Sequence, residues 1–252
     1  MTIFEKISSS NNIEIQMPNE IFADFNKMQF KNYKHKCFAY CYYYISNYLY
    51  RNVVYGLGYA SELSMKRLAL YMVSSYNSVS YIIRKDGLLD NSKYTETTTD
   101  FPVSYTLNDG ILDFFGIKSL DRGVIKSSNR LSVKIPLKSF VREPHEGLDD
   151  YYTGTYYQFA NTHNVPYKIF ARTISDSELG IVGFYILSYL KMMCDRFPQG
   201  YQISNEDLSI NVGCASRTII NYTKRLEMEG YIQSDRKKIG NKLFEKIYKC
   251  SF

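Results

Sequence analysis

The sequence predicts an α+β chain, mainly helical, in which a helix-turn-helix followed by a β-hairpin occurs twice. Three observations carry that expectation. Residues 203–232 hold two helical periods separated by a glycine, with two strand-like runs after them. Residues 63–83 repeat the spacing of that stretch. A long apolar helix precedes each stretch, at 34–50 and 179–197.

Ser204 is a good N-cap, and Asp207 three residues on completes a capping-box pattern, so a short helix starts there. Leu208, Ile210 and Val212 are expected on its apolar side, and Gly213 stops it. Ile219, Tyr222 or Thr223, and Leu226 recur on one face of a second, longer helix that Gly230 ends. Its opposite face is expected to carry Ser216, Arg217, Ile220, Asn221 and Lys224, with Arg225 beside them. Arg and Asn are side chains that read base edges in a major groove, and Lys reaches phosphate.

Tyr231–Ser234 reads as a strand, Asp235–Asn241 as a basic turn, and Leu243–Tyr248 as a returning strand. The tip would hold Arg236, Lys237 and Lys238, with Lys242 just after. Residues Ile203 to Lys249 resemble the winged-helix family of DNA-binding domains. That resemblance implies that the second helix enters the major groove and the wing touches backbone or minor groove. One position departs from the family: Ala215 stands where a Ser or Thr usually caps the recognition helix, a loss of about 1 kcal/mol. From Gly213 to Phe252 there are nine Lys or Arg against four Asp or Glu, which favours a DNA partner over a protein one.

The first stretch matches the second position by position. Leu63, Ser64, Leu68, Leu70, Met72 and Val79 correspond to Ile203, Ser204, Leu208, Ile210, Val212 and Ile219, every pair 140 apart. Upstream, Tyr44-Ile45 and Tyr48-Leu49 match Tyr185-Ile186 and Tyr189-Leu190 at an offset of 141. Further upstream, Pro18 to Phe22 matches Pro166 to Phe170 at 148, both reading PxxIF. Three blocks recurring in one order indicate an internal duplication. The full expectation is therefore two tandem winged-helix domains, at 13–107 and 156–252, joined by a segment 108–155.

In the first copy the wing is expected to run out over Leu88–Thr95 and back over Phe101–Leu107. Its tip, from Glu96 to Asp100, is acidic and would be repelled by phosphate. The second helix of this copy exposes Tyr76, Asn77, Ser80, Tyr81 and Arg84, a second surface for DNA or for a homodimer. The connecting segment is expected to hold a short helix near Ile111–Phe115 and a strand over Leu131–Val141 broken at Pro136. Its linker lies at Arg142–Thr155.

Length and composition bound the rest. At 252 residues the chain can bury one large core or two modest ones, and its net charge of +6 suits a nucleic-acid partner. Five scattered Cys without CxxC spacing argue against a disulfide framework and for a reducing compartment. No signal pattern opens the chain and no apolar run approaches a membrane span, so the expected location is cytoplasmic and nucleoid-associated. His35, His145 and His163 lie far apart, and no GxxxxGK[ST] or GxGxxG stretch occurs, so neither a metal nor a nucleotide cofactor is expected. The 25 Tyr are better explained by core packing than by a catalytic nucleophile, and no enzyme is expected.

The duplicated arrangement resembles the initiator proteins of plasmid and phage replication. That implies a sequence-specific double-stranded DNA binder whose C-terminal copy reads sequence while the N-terminal copy dimerises or binds an adjoining groove. A transcriptional regulator using the same contacts is the alternative, and a winged-helix protein-interaction module a further one.

Overall fold

The computed structural model describes residues 3–7, 13–57, 62–108, 111–119, 131–140, 155–156, 161–239 and 243–252. They form an α+β fold, about half helical, with small antiparallel sheets. In chain order the elements are α1 (Ile3–Lys6), β1 (Glu14–Pro18), α2 (Ile21–Lys27), α3 (Tyr33–Arg51), α4 (Met65–Met72), α5 (Tyr76–Ile83) and α6 (Leu88–Asn91). Then follow β2 (Glu96–Thr98), β3 (Pro102–Asn108), β4 (Ile111–Gly116), β5 (Val133–Ile135), β6 (Thr155–Tyr156) and β7 (Thr162–Pro166). The chain ends with α7 (Tyr167–Ser175), α8 (Gly180–Arg196), β8 (Tyr201–Ile203), α9 (Asn205–Val212), α10 (Ser216–Met228), β9 (Ile232–Ile239) and β10 (Leu243–Cys250).

Two compact units result: Met1–Ile7 with Tyr42–Asn161, and Ser8–Cys41 with Thr162–Phe252. The division passes through α3 and does not follow the order along the chain. Residues 13–41, expected in an N-terminal domain, group with the C-terminal helices. The reason is a strand pairing that spans most of the sequence. β1 and β7 form an antiparallel pair, from Glu14 opposite Pro166 to Pro18 opposite Thr162. Its central pair is Gln16 with Asn164, two residues that the 148-residue offset of the PxxIF blocks also makes equivalent. Each strand leads directly into a helix that presents a buried phenylalanine, Phe22 on α2 and Phe170 on α7.

Aromatic side chains fill the core of this second unit. The Phe22 ring lies 5.3 Å from Tyr40, 5.5 Å from His163, 5.3 Å from Tyr185 and 5.1 Å from Tyr189, centroid to centroid. Buried His163 is held between the Tyr40 hydroxyl at 2.9 Å from Nε2 and Asn19 Oδ1 at 3.0 Å from Nδ1. The Asn19 oxygen can only accept, so Nδ1 carries the proton and Nε2 accepts from Tyr40. Burial pushes the imidazole pKa down to about 3, so the ring stays neutral at physiological pH.

In the first unit, α4 starts at Ser64, whose hydroxyl accepts from the Arg67 N–H at 3.4 Å, as Ser204 does for Asp207 in α9 at 3.0 Å. Leu63, Leu68 and Val79 are buried, as are their counterparts Ile203, Leu208 and Ile219. Leu70 and Ile210, both expected on an apolar side, are instead 44% and 72% exposed. A helix this short can turn only positions three or four apart inward, here 208 and 212, and residue 210 falls between them.

The N-terminal wing differs from expectation in two ways. Leu88–Asn91 is a helical turn rather than an outgoing strand, and Ile111–Gly116 is strand β4 rather than a helix. β3 therefore pairs with β4, Tyr105 opposite Phe114 and Leu107 opposite Leu112, and not with residues 88–95. Short apolar runs do not distinguish strand from helix by period, and the Asp109-Gly110 dipeptide between 102–108 and 111–116 is the turn signal that does. The 88–91 turn is organised from far along the chain. The Lys134 ammonium, its side chain fully buried, sits 2.7 Å from Asp90 Oδ1 and donates to Thr97 Oγ1 at 2.6 Å and to Arg84 O at 3.2 Å. Thr95 and Thr97 also donate to Asp90, at 2.6 and 2.7 Å. β5 stops at Ile135, before Pro136, as expected. Of the linker expected at 142–155, residues 142–154 lie outside the described residues, as do His145 and Lys242, while Thr155 belongs to β6.

Candidate nucleic-acid interface

Within the second unit, α8, β8, α9, α10, β9 and β10 follow one another, and the three strands form a sheet in the order β8-β10-β9. α10 owes its position to its apolar stripe: Ile219, Thr223 and Leu226 are buried at helical spacing. The opposite side of the helix faces solvent. Arg217, Ile220, Asn221 and Lys224 are exposed, and Ser216 is half-buried at the first helical position. Arg217, Asn221 and Lys224 lie three or four residues apart and so share one face. No side chain caps the start of α10, because Ala215 occupies that position.

Arg225 departs from the expected set. Its guanidinium is engaged by three carboxylates: Glu178 at 3.0 Å, Glu229 at 2.7 Å and Asp176 at 3.7 Å. Two of these come from the loop between α7 and α8, a juxtaposition that helical periodicity alone does not reveal. Arg225 anchors that loop to α10 and is not available to a ligand phosphate.

Arg236 and Lys237 lie within β9 rather than at a hairpin tip, with Arg236 opposite Lys246 and Lys237 opposite Glu245. Alternation then separates them. Arg236 shares the sheet face of Ser234, Lys246 and Tyr248, the face toward α10, where Glu227 accepts from Ser234 and from Lys246 at 3.3 Å. Lys237 points to the other face, donating to Gln202 at 3.2 Å, while Gln202 donates to Glu245 at 2.6 Å. The backbone at 238 continues the ladder opposite Phe244.

This difference has a measurable outcome. Arg236→Ala is expected to lower the salt dependence of duplex binding by about 0.9 in log–log slope, one phosphate contact, while Lys237→Ala leaves it unchanged. Affinity measured across a salt series checks both; equal effects would mean the hairpin faces are assigned wrongly.

Two residues that sequence reasoning does not single out, Lys36 and Asn26, hold the turn before α10. In that turn Gly213 adopts φ 68, ψ 39, the left-handed conformation that ends α9. Lys36, buried, donates from Nζ to Gly213 O at 3.3 Å and to Asn26 Oδ1 at 2.7 Å, while Asn26 Nδ2 donates to Asn211 O at 2.7 Å. The final carbonyls of α9 are thus satisfied from α2 and α3. Burial pushes the Lys36 ammonium below its ordinary pKa. One residue further, burial pushes the Cys37 thiol well above its ordinary pKa, and the neighbouring Cys214 of the same turn adds to the shift. The only sequence signal was the basic run at Lys31, Lys34 and Lys36 ahead of an apolar helix.

In the first unit, Asn77 and Arg84 are exposed, while Tyr76, Ser80 and Tyr81 are half-buried. A cleft of about 310 Å³ in that unit is lined by residues including Lys85, Asp86, Asp90, Lys93 and Glu96. Its charges are mixed, and it lacks the single-sign potential that would select an anion. Among the described residues no group of three His, Cys, Asp or Glu is placed to hold a metal, and no helix is long and apolar enough to cross a membrane. Comparison with protein-family models, with curated proteins and with solved structures finds no match in any of the three.

Proposed function

We propose that the chain is a sequence-specific double-stranded DNA-binding protein, made of two winged-helix units that arose by duplication, and that it acts as a replication initiator of the plasmid or phage type. The observation that carries this reading is the exposed face of α10. Arg217, Asn221 and Lys224 stand along it, exposed in their own unit, beside a hairpin that turns Arg236 to the same side. The order helix, strand, helix, turn, helix, hairpin, with β10 central in the sheet, is the arrangement a winged helix requires. The equivalence of Gln16 and Asn164 at the centre of the β1–β7 ladder supports the duplication.

In this reading α10 lies in the major groove. Arg217 donates in bidentate fashion to a guanine, Asn221 pairs with an adenine one turn along, and Lys224 meets phosphate. The presence of two such units in one chain supports the initiator role, with the C-terminal copy reading sequence and the N-terminal copy dimerising or binding an adjoining groove.

Selection of bound fragments from genomic DNA, followed by footprinting with the intact chain, tests the reading. Direct repeats in the recovered sites are expected; sites confined to a promoter would favour a transcriptional regulator. Arg217→Ala is expected to cost about 1–3 kcal/mol on the selected site and to relax preference at one base pair. Unaltered discrimination across a panel of mutated sites would remove α10 as the reading element.

A further inference from the structure

We propose that the segment joining α2 to α3 is a second clasp on the duplex, in which Lys27, Lys31 and Lys34 hold the phosphates bordering the groove that α10 enters, on the side away from the β9–β10 hairpin. This rests on the DNA-binding reading above. Three observations place the segment there. Its two ends are fixed to the turn before α10, through Asn26 to Asn211 O and Lys36 to Gly213 O. Tyr33, between them, is near enough to Tyr222 on α10 to act on its phenol, which is raised above its ordinary pKa first by burial and then by Tyr33. The hairpin occupies a different flank, since Glu227, which receives Ser234 and Lys246, is five residues from Tyr222 and hence about 140° away around the helix.

Charge identifies the occupant. Lys27, Lys31 and Lys34 are all exposed, and no Asp or Glu occurs between Asp24 and Glu62. Half-buried His35 is lowered in pKa by burial and then by the charge of Lys31, a mark of the positive field there. A helix about 10–12 Å across fills a major groove about 12 Å wide, so what flanks the helix meets the sugar–phosphate borders and not the bases. Lysine is a point charge on a flexible stem, suited to phosphate and indifferent to sequence. The hairpin and the lysine segment would thus grip opposite borders of one groove.

The test uses the full chain and a mixed-sequence duplex about three helical turns long, with affinity measured across a salt series. Replacing all three lysines (K27Q, K31Q and K34Q) is expected to lower the log–log salt slope by about 0.9 for each phosphate no longer neutralised. The base preference found with selected sites and the melting temperature should both stay as in the parent. Should the triple variant melt early, the single variants Lys31→Gln and Lys34→Gln carry the same readout at about 0.9 each. An unchanged slope, with Arg217→Ala still weakening the selected site, overturns the clasp and leaves the DNA-binding reading standing. Failure of the parent chain to bind any duplex overturns both.

Discussion

A chain beginning at Thr162 is expected not to fold as a unit and to show no duplex binding. The helices and hairpin of the candidate interface all lie after that point, and the sequence on its own suggests a fragment from about Tyr156 should suffice. The packing says otherwise. Removing residues 1–161 takes away β1, the ladder partner of β7, and with it the buried Ile15, Met17, Phe22, Phe25, Phe38 and Tyr40. It also leaves His163 without its Tyr40 and Asn19 partners. Truncation of one buried phenylalanine costs about 3–5 kcal/mol, against a whole-domain stability of about 5–15 kcal/mol. Losing several such side chains at once exceeds what the remainder can supply. Thermal unfolding followed by circular dichroism decides the matter, and a cooperative melt near that of the full chain would refute it. The single change Phe22→Ala, which empties the space among Tyr40, His163, Tyr185 and Tyr189, should cost about 3–5 kcal/mol in the intact protein.

Gly213→Val is expected to be the most damaging point change in the candidate interface. A β-branched side chain at φ 68 carries backbone strain of about 1–2 kcal/mol. Its Cβ would also stand 1.9 Å from Lys36 Nζ and 2.8 Å from Asn26 Oδ1, where neither can remain. Displacing them strips the buried Lys36 ammonium of its two acceptors and the Asn211 carbonyl of its donor, at about 1–3 kcal/mol for a buried group orphaned. The sum is about 3 kcal/mol or more. The turn that aims α10 is disrupted with it, so duplex affinity falls along with stability. Gly230→Ala is the control. Gly230 is also at positive φ, 74, but a Cβ there meets nothing within 4 Å, so only the backbone strain of about 1–2 kcal/mol applies. Denaturant midpoints of the two variants give the difference directly; equal losses would mean that Lys36 and Asn26 do not brace the turn.

Local chemistry was legible in the residues. Ser204 caps α9 through its own hydroxyl, Gly213 ends it by adopting a conformation costly to other residues, and Ile219, Thr223 and Leu226 bury one side of α10 because they recur at helical spacing. The outward face of Arg217, Asn221 and Lys224 belongs to the same class, and so do the strands where 231–234 and 243–248 already read as such; residues 235–239, which read as a turn, instead continue β9 because they pair with β10. The PxxIF blocks were visible as well, because a repeat needs only the sequence to be seen.

What the tertiary structure alone decided is where distant segments meet. The grouping of residues 13–41 with the C-terminal helices depends on β1 pairing with β7, and no local pattern states a ladder partner so far along the chain. The helical turn at 88–91 depends on Lys134 arriving beside Asp90, an ion pair whose partners are 44 residues apart. Arg225 reads as an exposed base on a helical wheel until the α7–α8 loop brings Asp176 and Glu178 to it. Periodicity fixes which way a side chain points on its own element. What it points at is set by long-range packing, where the free energy comes from surfaces buried together and not from the order of residues along the chain.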